Sequence, residues 1–257
     1  MSVELAVVGG GNMGAAIASR LPGAVVVERL PARRAELHSQ GMSVAAELGE
    51  VDGAVIAVKP PDVEAACRAV AAAGAHRVLS VAAGVTLSSL RSWLGPGPAV
   101  LRAMPNTPAS VGAGASALAP GDAGPDDIDW ARGILEAVGM VEVLDEHHLD
   151  AVTGLSGSGP AYLFLVAEAL VDAGVFNGLP RAVAARLSAQ SLLGAGRLLA
   201  ETGESPERLR AAVTSPGGTT AAGLRALEAR AVRAAVIEAV TASAERSAER
   251  SAELGRS

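Results

Sequence analysis

Side chains able to do chemistry are few in this chain, and their placement is informative. Of its 21 basic residues, 20 are arginine and one, Lys59, is lysine. A lone ammonium among guanidinium groups marks a position where a planar fork will not serve. Three of the eight threonines fall within seven residues, Thr214-Ser215-Pro216-Gly217-Gly218-Thr219-Thr220. Pro216 and the two glycines stop one helix, and Thr219 or Thr220 is expected to cap the next. Hydroxyls beside the unpaired N–H groups of a helix N-terminus make a neutral pocket suited to a carboxylate. A simple capped turn between two helices has the same composition, so the turn alone leaves both readings open.

The four histidines, His38, His76, His147 and His148, show no zinc-ligand spacing, and no metal is expected. The adjacent pair 147–148 is expected to point to different faces of a helix. No G-x-S-x-G elbow and no cysteine–histidine pairing suggests a covalent nucleophile, and the single Cys67 cannot build a disulfide framework.

The elements that must position these groups begin with Leu5-Ala6-Val7-Val8, a continuous apolar run typical of a buried parallel strand. It enters Gly9-Gly10-Gly11-Asn12-Met13-Gly14 and then a helix, Ala15–Leu21. This is G-x-G-x-x-G in its strand–turn–helix setting. Gly9 permits the tight turn, Gly11 lets backbone approach a pyrophosphate, and Gly14 lets helix pack on strand. Ala24–Val27 supplies a second strand ending at Glu28, where a ribose-reading residue belongs. Glu28 favours NAD through a ribose hydroxyl; Arg29, Arg33 and Arg34 favour NADP through a 2′-phosphate. The residues leave that choice open.

Further strands are expected at Met42–Val44, Gly53–Val58, Val78–Val81, Val100–Ala103, Ala115–Leu118 and Val141–Val143. Helices are expected at 62–73 and 126–138. Lys59 then lies at the carboxyl end of a parallel strand, where open α/β sheets bind ligands. Ala82-Ala83-Gly84 ends the next strand with small residues that leave room for a flat ring. Asn106, one of three asparagines, ends the one after. These strand ends point into one crevice.

Beyond Asp145-Glu146 the strand signal disappears. Helices are expected at His148–Leu155, Pro160–Ala173, Pro180–Glu201, Pro206–Val213, Thr220–Ala229 and Val232–Leu254, several opening with proline. The Ala-Glu-Arg-Ser repeats of the last helix read as a solvated face. The long helices carry more alanine and leucine than one stripe requires, which fits either a helical dimer interface, the reading taken here, or a larger single-chain core. The fold class is thus a Rossmann-type doubly wound α/β domain, 1–146, followed by an all-α dimerisation and substrate domain, 147–257.

Composition sets the bounds. The chain has 257 residues, half of them hydrophobic but only 2% aromatic, so its core is aliphatic. A net charge of −6 without a basic stripe argues against nucleic acid. No run approaches about 18 uninterrupted apolar residues; Glu168 and Asp172 break the best candidate. Met1-Ser2 runs straight into an apolar strand pattern without a basic n-region or cleavage site, so no signal peptide is expected. A soluble, cytoplasmic protein with no membrane partner is expected.

A nicotinamide protein without an evident His/Asp acid–base pair needs an acceptor that is already activated. A protonated imine meets that need, because C=N⁺ accepts hydride with little general-acid help.

The chain resembles the pyrroline-5-carboxylate reductases over nearly its full length. The resemblance rests on the Gly9–Gly14 loop, Ala57-Val58-Lys59-Pro60, Ala82-Ala83-Gly84-Val85-Thr86 and Met104-Pro105-Asn106-Thr107. It continues in Asp150-Ala151-Val152-Thr153-Gly154-Leu155-Ser156-Gly157-Ser158-Gly159-Pro160-Ala161-Tyr162 and, most specifically, in Arg210 to Glu228. It implies NAD(P)H-dependent reduction of Δ1-pyrroline-5-carboxylate to L-proline, the last step of proline biosynthesis. Gly9, Gly11, Asn12, Met13, Gly14, Glu28 and Arg29 then serve the dinucleotide. The resemblance places Val58, Lys59, Pro60, Ala82, Ala83 and Asn106 on the nicotinamide side. It also implies that Ser215, Gly218 and Thr219 bind the carboxylate and that Thr220, as the catalytic residue, hydrogen-bonds the ring nitrogen. NADPH is the cofactor implied, with NADH as the alternative, since Glu28-Arg29 departs from an NADP-selective pattern. The family's pocket lies at a dimer interface, and its dimers can assemble into decamers.

Three other readings compete. A β-hydroxyacid dehydrogenase needs a lysine in its helical domain, and residues 60–257 contain none. A reductase of another cyclic imine would share the same residues. A non-catalytic NADP sensor has no use for an intact Ser-Pro-Gly-Gly-Thr-Thr turn.

Overall fold

The computed structural model describes residues 3–254. Eight strands form one sheet: β1 Val3–Val8, β2 Val25–Val27, β3 Ser43–Ala45, β4 Val51–Ile56, β5 Arg77–Ser80, β6 Ala99–Met104, β7 Gly114–Ala119 and β8 Gly139–Val143. Their spatial order is β3-β2-β1-β4-β5-β6-β7-β8. Pairing is parallel throughout except between β6 and β7. The chain steps outward from β1 to β3, then returns to place β4 on β1's other side. The crevice at the carboxyl ends of β1 and β4 is therefore the switch point at which such sheets take ligands.

Helices α1 (Asn12–Ala18), α2 (Pro31–Ser39), α3 (Val63–Ala72), α4 (Leu87–Leu94) and α5 (Pro125–Glu136) cover the sheet. Alternation along β4 separates two aliphatic layers. Ala54 and Ile56 face Val63, Cys67 and Val70 of α3. Val55 belongs with Ile17 of α1 and Leu37 of α2. With both faces covered, β4 is buried at five of its six positions, all but Asp52, which explains the continuous run without polar side chains from Gly53 to Ile56. Burial raises the Cys67 thiol pKa to about 12, with Glu64 adding to the effect.

Element boundaries differ from the expected ones by up to three residues, as at α1, which starts at Asn12 rather than Ala15, with one consequence for the site. The fourth strand runs 51–56 rather than 53–58, so Ala57 and Val58 lie past the ladder and a short 3-10 turn, Pro60–Asp62, follows Lys59. Helix α4 has no counterpart in the sequence reading. It starts where Thr86 accepts a hydrogen bond from the Ser89 N–H.

After the sheet come α6 (Leu149–Val152), a π turn (Thr153–Gly157), α7 (Gly159–Phe176), α8 (Arg181–Thr202), α9 (Pro206–Ala212), α10 (Thr219–Ala229) and α11 (Val232–Leu254). The π turn replaces the helix expected to run on to Leu155; its bond runs from the Ser158 N–H to the Thr153 carbonyl at 2.8 Å. The chain divides into two compact units. One takes in the sequence up to Pro160 and resumes at Val240; the other is Ala161–Ala239. These divisions fall at places other than 146/147 because the segment after the sheet stays with it. Leu149 is buried in the α3 layer. A Cβ on Gly154 would sit 2.5 Å from the Val240 carbonyl oxygen, so α11 comes up against bare backbone there.

The end of α11 carries a docking face besides the solvated face expected of its charged repeats. Ser243 shares a 2.8 Å hydrogen bond with Ser158, and the Ser247 hydroxyl donates to Asp150 at 2.6 Å. The Ser251 hydroxyl is buried too. Positions i, i+4 and i+8 form one helical stripe, and this stripe is the docking face. Arg246, Glu249 and Glu253 pair on the exposed face.

The second unit has almost no interior. Ala184 is its one buried residue among those described, seated where Gly174 of α7 lets α8 approach. Phe164 is 64% exposed and Phe176 90%. The helical stretch Glu146–Phe176 is long and apolar enough to cross a membrane, by length and composition only.

Candidate active site

The glycine loop is explained residue by residue by what a Cβ would meet. Gly9 has φ +108, and a Cβ there would lie 2.8 Å from the Ala57 carbonyl oxygen and 2.9 Å from a Val58 methyl. A Cβ on Gly14 would fall 2.0 Å from the Gly9 carbonyl oxygen. These two glycines are demanded by the protein's own packing. Gly11 is different: a Cβ there meets nothing within 4 Å. Its backbone, with φ −66 and ψ −175, suits any residue. The space beside it fits a group from outside the chain. Gly11 is also the N-cap of α1, and no side chain caps that helix. The N–H groups of Asn12, Met13 and Gly14 have no partner among the described residues. Open amides at a helix N-terminus beside free space fit a pyrophosphate.

The end of β2 holds this loop from the side. Glu28 accepts the Gly10 N–H at 3.1 Å through one carboxylate oxygen and the Leu30 N–H at 2.8 Å through the other. Arg33 donates to the Gly10 carbonyl at 2.7 Å. Arg34 donates to the carbonyls of Glu28 and Arg29, both at 2.8 Å. Arg29 is 80% exposed and pairs with Asp62 at 3.2 Å. Glu28 and Arg33 thus clamp the Gly10 peptide from both ends, while Arg29 is the guanidinium most open to solvent. A cavity of about 470 Å³ beside α1 is lined by Asn12, Met13, Arg33 and Met42, among others. A larger one, about 690 Å³, opens at the start of β6 and contains none of the sequence-predicted residues.

Val58, Lys59 and Pro60 follow β4, Ala82 and Ala83 follow β5, and Asn106 follows β6. All therefore sit at carboxyl ends of adjacent parallel strands, beside the glycine loop. Lys59 is exposed; its carbonyl accepts the Asp62 N–H at 2.9 Å, and its ammonium has no hydrogen bond or ion pair among the described residues. Ala82 is buried and Ala83 exposed. Asn106 is 8% exposed, and both ends of its amide are engaged. It donates to the Ser156 carbonyl of the π turn at 3.0 Å and accepts the Ala115 N–H at 2.8 Å. Its side chain joins β6, β7 and the π turn.

In the second unit, the turn at 214–220 departs from expectation in its capping. Gly218 is the N-cap of α10, Thr219 is its first residue, and no side chain caps it. The hydroxyls of Thr219 and Thr220 are therefore not spent on the helix. Thr214 is spent, donating to the Arg210 carbonyl at 2.6 Å. A Cβ on Gly218 would lie 2.3 Å from the Ser215 hydroxyl, so any larger residue would turn that hydroxyl aside. The N–H groups of Thr219, Thr220 and Ala221 have no partner among the described residues. Ser215, Thr219 and Thr220 are exposed.

The histidine pair does not diverge as expected. In the 3-10 turn Glu146–His148 the two rings lie 3.8 Å apart, centroid to centroid. Ligand atoms of Asp145, His147 and His148 come within 4.8 Å of one another, all on exposed side chains.

Comparison with known proteins connects these features. The chain is 44% identical to a pyrroline-5-carboxylate reductase of Synechocystis sp., covering 96% of this chain and 97% of that one. The chain belongs to the pyrroline-5-carboxylate reductase family. A reductase of the same name from Mycobacterium tuberculosis is 44% identical over 95% of each chain. The family model for pyrroline-5-carboxylate reductase dimerisation matches residues 146–250, and one for coenzyme F420-dependent NADP oxidoreductases matches residues 4–84. Among solved structures, a pyrroline-5-carboxylate reductase from Coxiella burnetii superposes with a TM-score of 0.90 at 34% identity, covering 97% of this chain and 99% of that one. The Plasmodium falciparum pyrroline carboxylate reductase, solved with NADP bound, gives 0.83 at 26% identity, covering 97% and 98%.

Two residues escaped the sequence reading. Arg102, on β6, is only 6% exposed and donates to Glu146 at 2.9 Å. The same Glu146 oxygen accepts the Leu87 N–H at 2.7 Å. An arginine inside the apolar run Val100–Ala103 was the available signal, because a cation is rarely buried without a partner.

Proposed function

We propose that this chain transfers hydride from NAD(P)H to the C=N bond of Δ1-pyrroline-5-carboxylate, giving L-proline. The observation that carries the reading is a pair of uncapped helix N-termini, at α1 and α10, in a member of this family. Each offers three amides that no group among the described residues uses. Two open N-termini suit the two anions of the reaction, a pyrophosphate and a carboxylate.

When bound, the reduced nicotinamide supplies the hydride. Gly9, Gly11, Asn12, Met13 and Gly14 hold the pyrophosphate, with Glu28 and Arg29 at the adenosine ribose. Val58, Lys59, Pro60, Ala82, Ala83 and Asn106 form the nicotinamide side, where small side chains and the Asn106 clamp fix the backbone. Ser215, Gly218 and Thr219 bind the substrate carboxylate. The Thr220 hydroxyl hydrogen-bonds the ring nitrogen and stabilises it as it passes from imine to amine. No strong acid is required, because the protonated imine is already electrophilic. NADPH is the expected cofactor and NADH the alternative.

Self-association belongs to the same reading. A helical unit with one buried residue cannot be stable by itself, so its apolar surface on α7 and α8 is where a second copy packs. Dimers assembling into decamers are the larger form proposed, to be checked by light scattering.

The direct test is initial rates with Δ1-pyrroline-5-carboxylate and either NADPH or NADH, with proline identified as product. Cofactor binding without substrate-dependent oxidation would refute it.

A further inference from the structure

The loop Ala82–Thr86, at the end of β5, is braced from behind at two points, both by residues beyond position 145. At its far end, the Leu87 N–H, the first of α4, donates to Glu146 at 2.7 Å. That carboxylate is itself fixed by buried Arg102 at 2.9 Å. In the middle of the loop, Gly84 is buried with φ +78. A Cβ there would come within 3.1 Å of a Leu254 methyl and 3.8 Å of Ser251. Leu254 is partly buried against the aliphatic layer that contains Ala82, Val85, Leu87 and Met104. The last turn of α11 therefore fills the space behind the residues whose other side faces the crevice. This contact lies past residue 250, where the match to the dimerisation model stops.

We infer that Glu146 and Leu254 are positioning residues that set the loop Ala82–Thr86, so that the nicotinamide end of the cofactor depends on them and the adenosine end does not. The inference rests on the cofactor reading above, in which Ala82 and Ala83 lie on the nicotinamide side. Neither residue touches cofactor or substrate; each acts through the loop backbone. Removing the Leu254 side chain gives Gly84 and its neighbours room to retreat. Removing the Glu146 carboxylate frees the Leu87 N–H and leaves Arg102 without its partner.

The test is binding, without substrate. Glu146→Ala and Leu254→Ala are titrated with NADH and with ADP-ribose, which shares the adenosine diphosphate ribose portion and lacks the nicotinamide. The Kd for NADH is expected to rise about tenfold, since small misplacements of positioning groups are costly. The Kd for ADP-ribose is expected to stay within about twofold of wild type, because its contacts lie on the glycine loop. Leu254→Met, which refills the space, is expected to restore NADH binding. Equal weakening of both ligands, or weakening of neither, overturns the inference. Should an alanine variant melt below the titration temperature, Glu146→Gln or Leu254→Val takes its place under the same criteria. Where the wild type prefers NADPH, NADPH and 2′-phospho-ADP-ribose replace the pair under the same criteria, and failure of the wild type to bind either fragment overturns the cofactor reading itself, which separates the two failures.

Discussion

The same substitution at two glycines three residues apart should give opposite phenotypes. At Gly11 an alanine Cβ meets no protein atom within 4 Å, and the backbone is already extended. Restricting the unfolded chain gains about 0.4–1 kcal/mol. Alanine is a poorer N-cap than glycine by roughly 0.5–1 kcal/mol, so the two effects nearly cancel. The melting temperature should move by no more than about 2–4 °C, the shift expected per kcal/mol for a chain of this size. The Cβ instead occupies space assigned to the pyrophosphate. Losing two charge-assisted amide contacts at about 1.5 kcal/mol each raises Kd more than a hundredfold. At Gly14 the added Cβ would overlap the Gly9 carbonyl oxygen at 2.0 Å and press on Ala57 at 3.2 Å, and backbone cannot swing aside. That overpacking costs about 3 kcal/mol, lowering Tm by on the order of 10 °C. Differential scanning fluorimetry with and without NADPH reads both. A Gly11→Ala variant that melts early, or that keeps its NADPH-dependent shift, would refute the assignment of that space.

Thr220→Ala should lower kcat while leaving the Kd for NADPH nearly unchanged; unchanged turnover removes the hydroxyl from the mechanism. Glu28→Ser should shift the NADPH-to-NADH ratio of kcat/KM toward NADPH, because a fixed carboxylate no longer opposes a 2′-phosphate, and an unmoved ratio assigns Glu28 to the loop clamp alone. Glu146→Ala should cost about 3 kcal/mol in denaturant titration because Arg102 is left buried and unpaired. Arg102→Met should cost less, since the Glu146 side chain is 31% exposed and can hydrate; the reverse order would contradict the burial argument. Cys67 should resist thiol reagents at pH 8 until the chain unfolds. Its thiol ionises at about 12 when folded, against an ordinary 9.0. The unfolded chain loses that proton first, so its contribution to stability, complete below pH 9, should fall as pH rises toward 12. Cys67→Ala should flatten that part of the curve.

Much of the fold was legible because its signals are local. Apolar runs such as Leu5–Val8, glycines at fixed offsets and prolines at helix starts each carry their meaning within a few residues. The start of helix α11 was read to the residue, Val232. What escaped depends on contacts remote in sequence. Glu146 meets Leu87 across 59 positions, and Ser247 meets Asp150 across 97. The π turn at 153–157 escaped because one extra residue per turn leaves little periodic trace. The stripe Ser243, Ser247 and Ser251 was hidden inside repeats whose charged residues drew the solvated reading. Capping at 219–220 failed for a simpler reason: Gly218 had already taken the position.

The return of α11 to the sheet has a bearing on biosynthesis. The first compact unit is split by residues 161–239 and regains its missing part only from Val240 onward. On a ribosome, the nucleotide-binding half must therefore wait, with Gly154 uncovered, until the residues from Val240 onward have emerged. Messages cut short before that point would yield chains whose sheet is complete but whose flank lies bare, a natural target for proteolytic clearance.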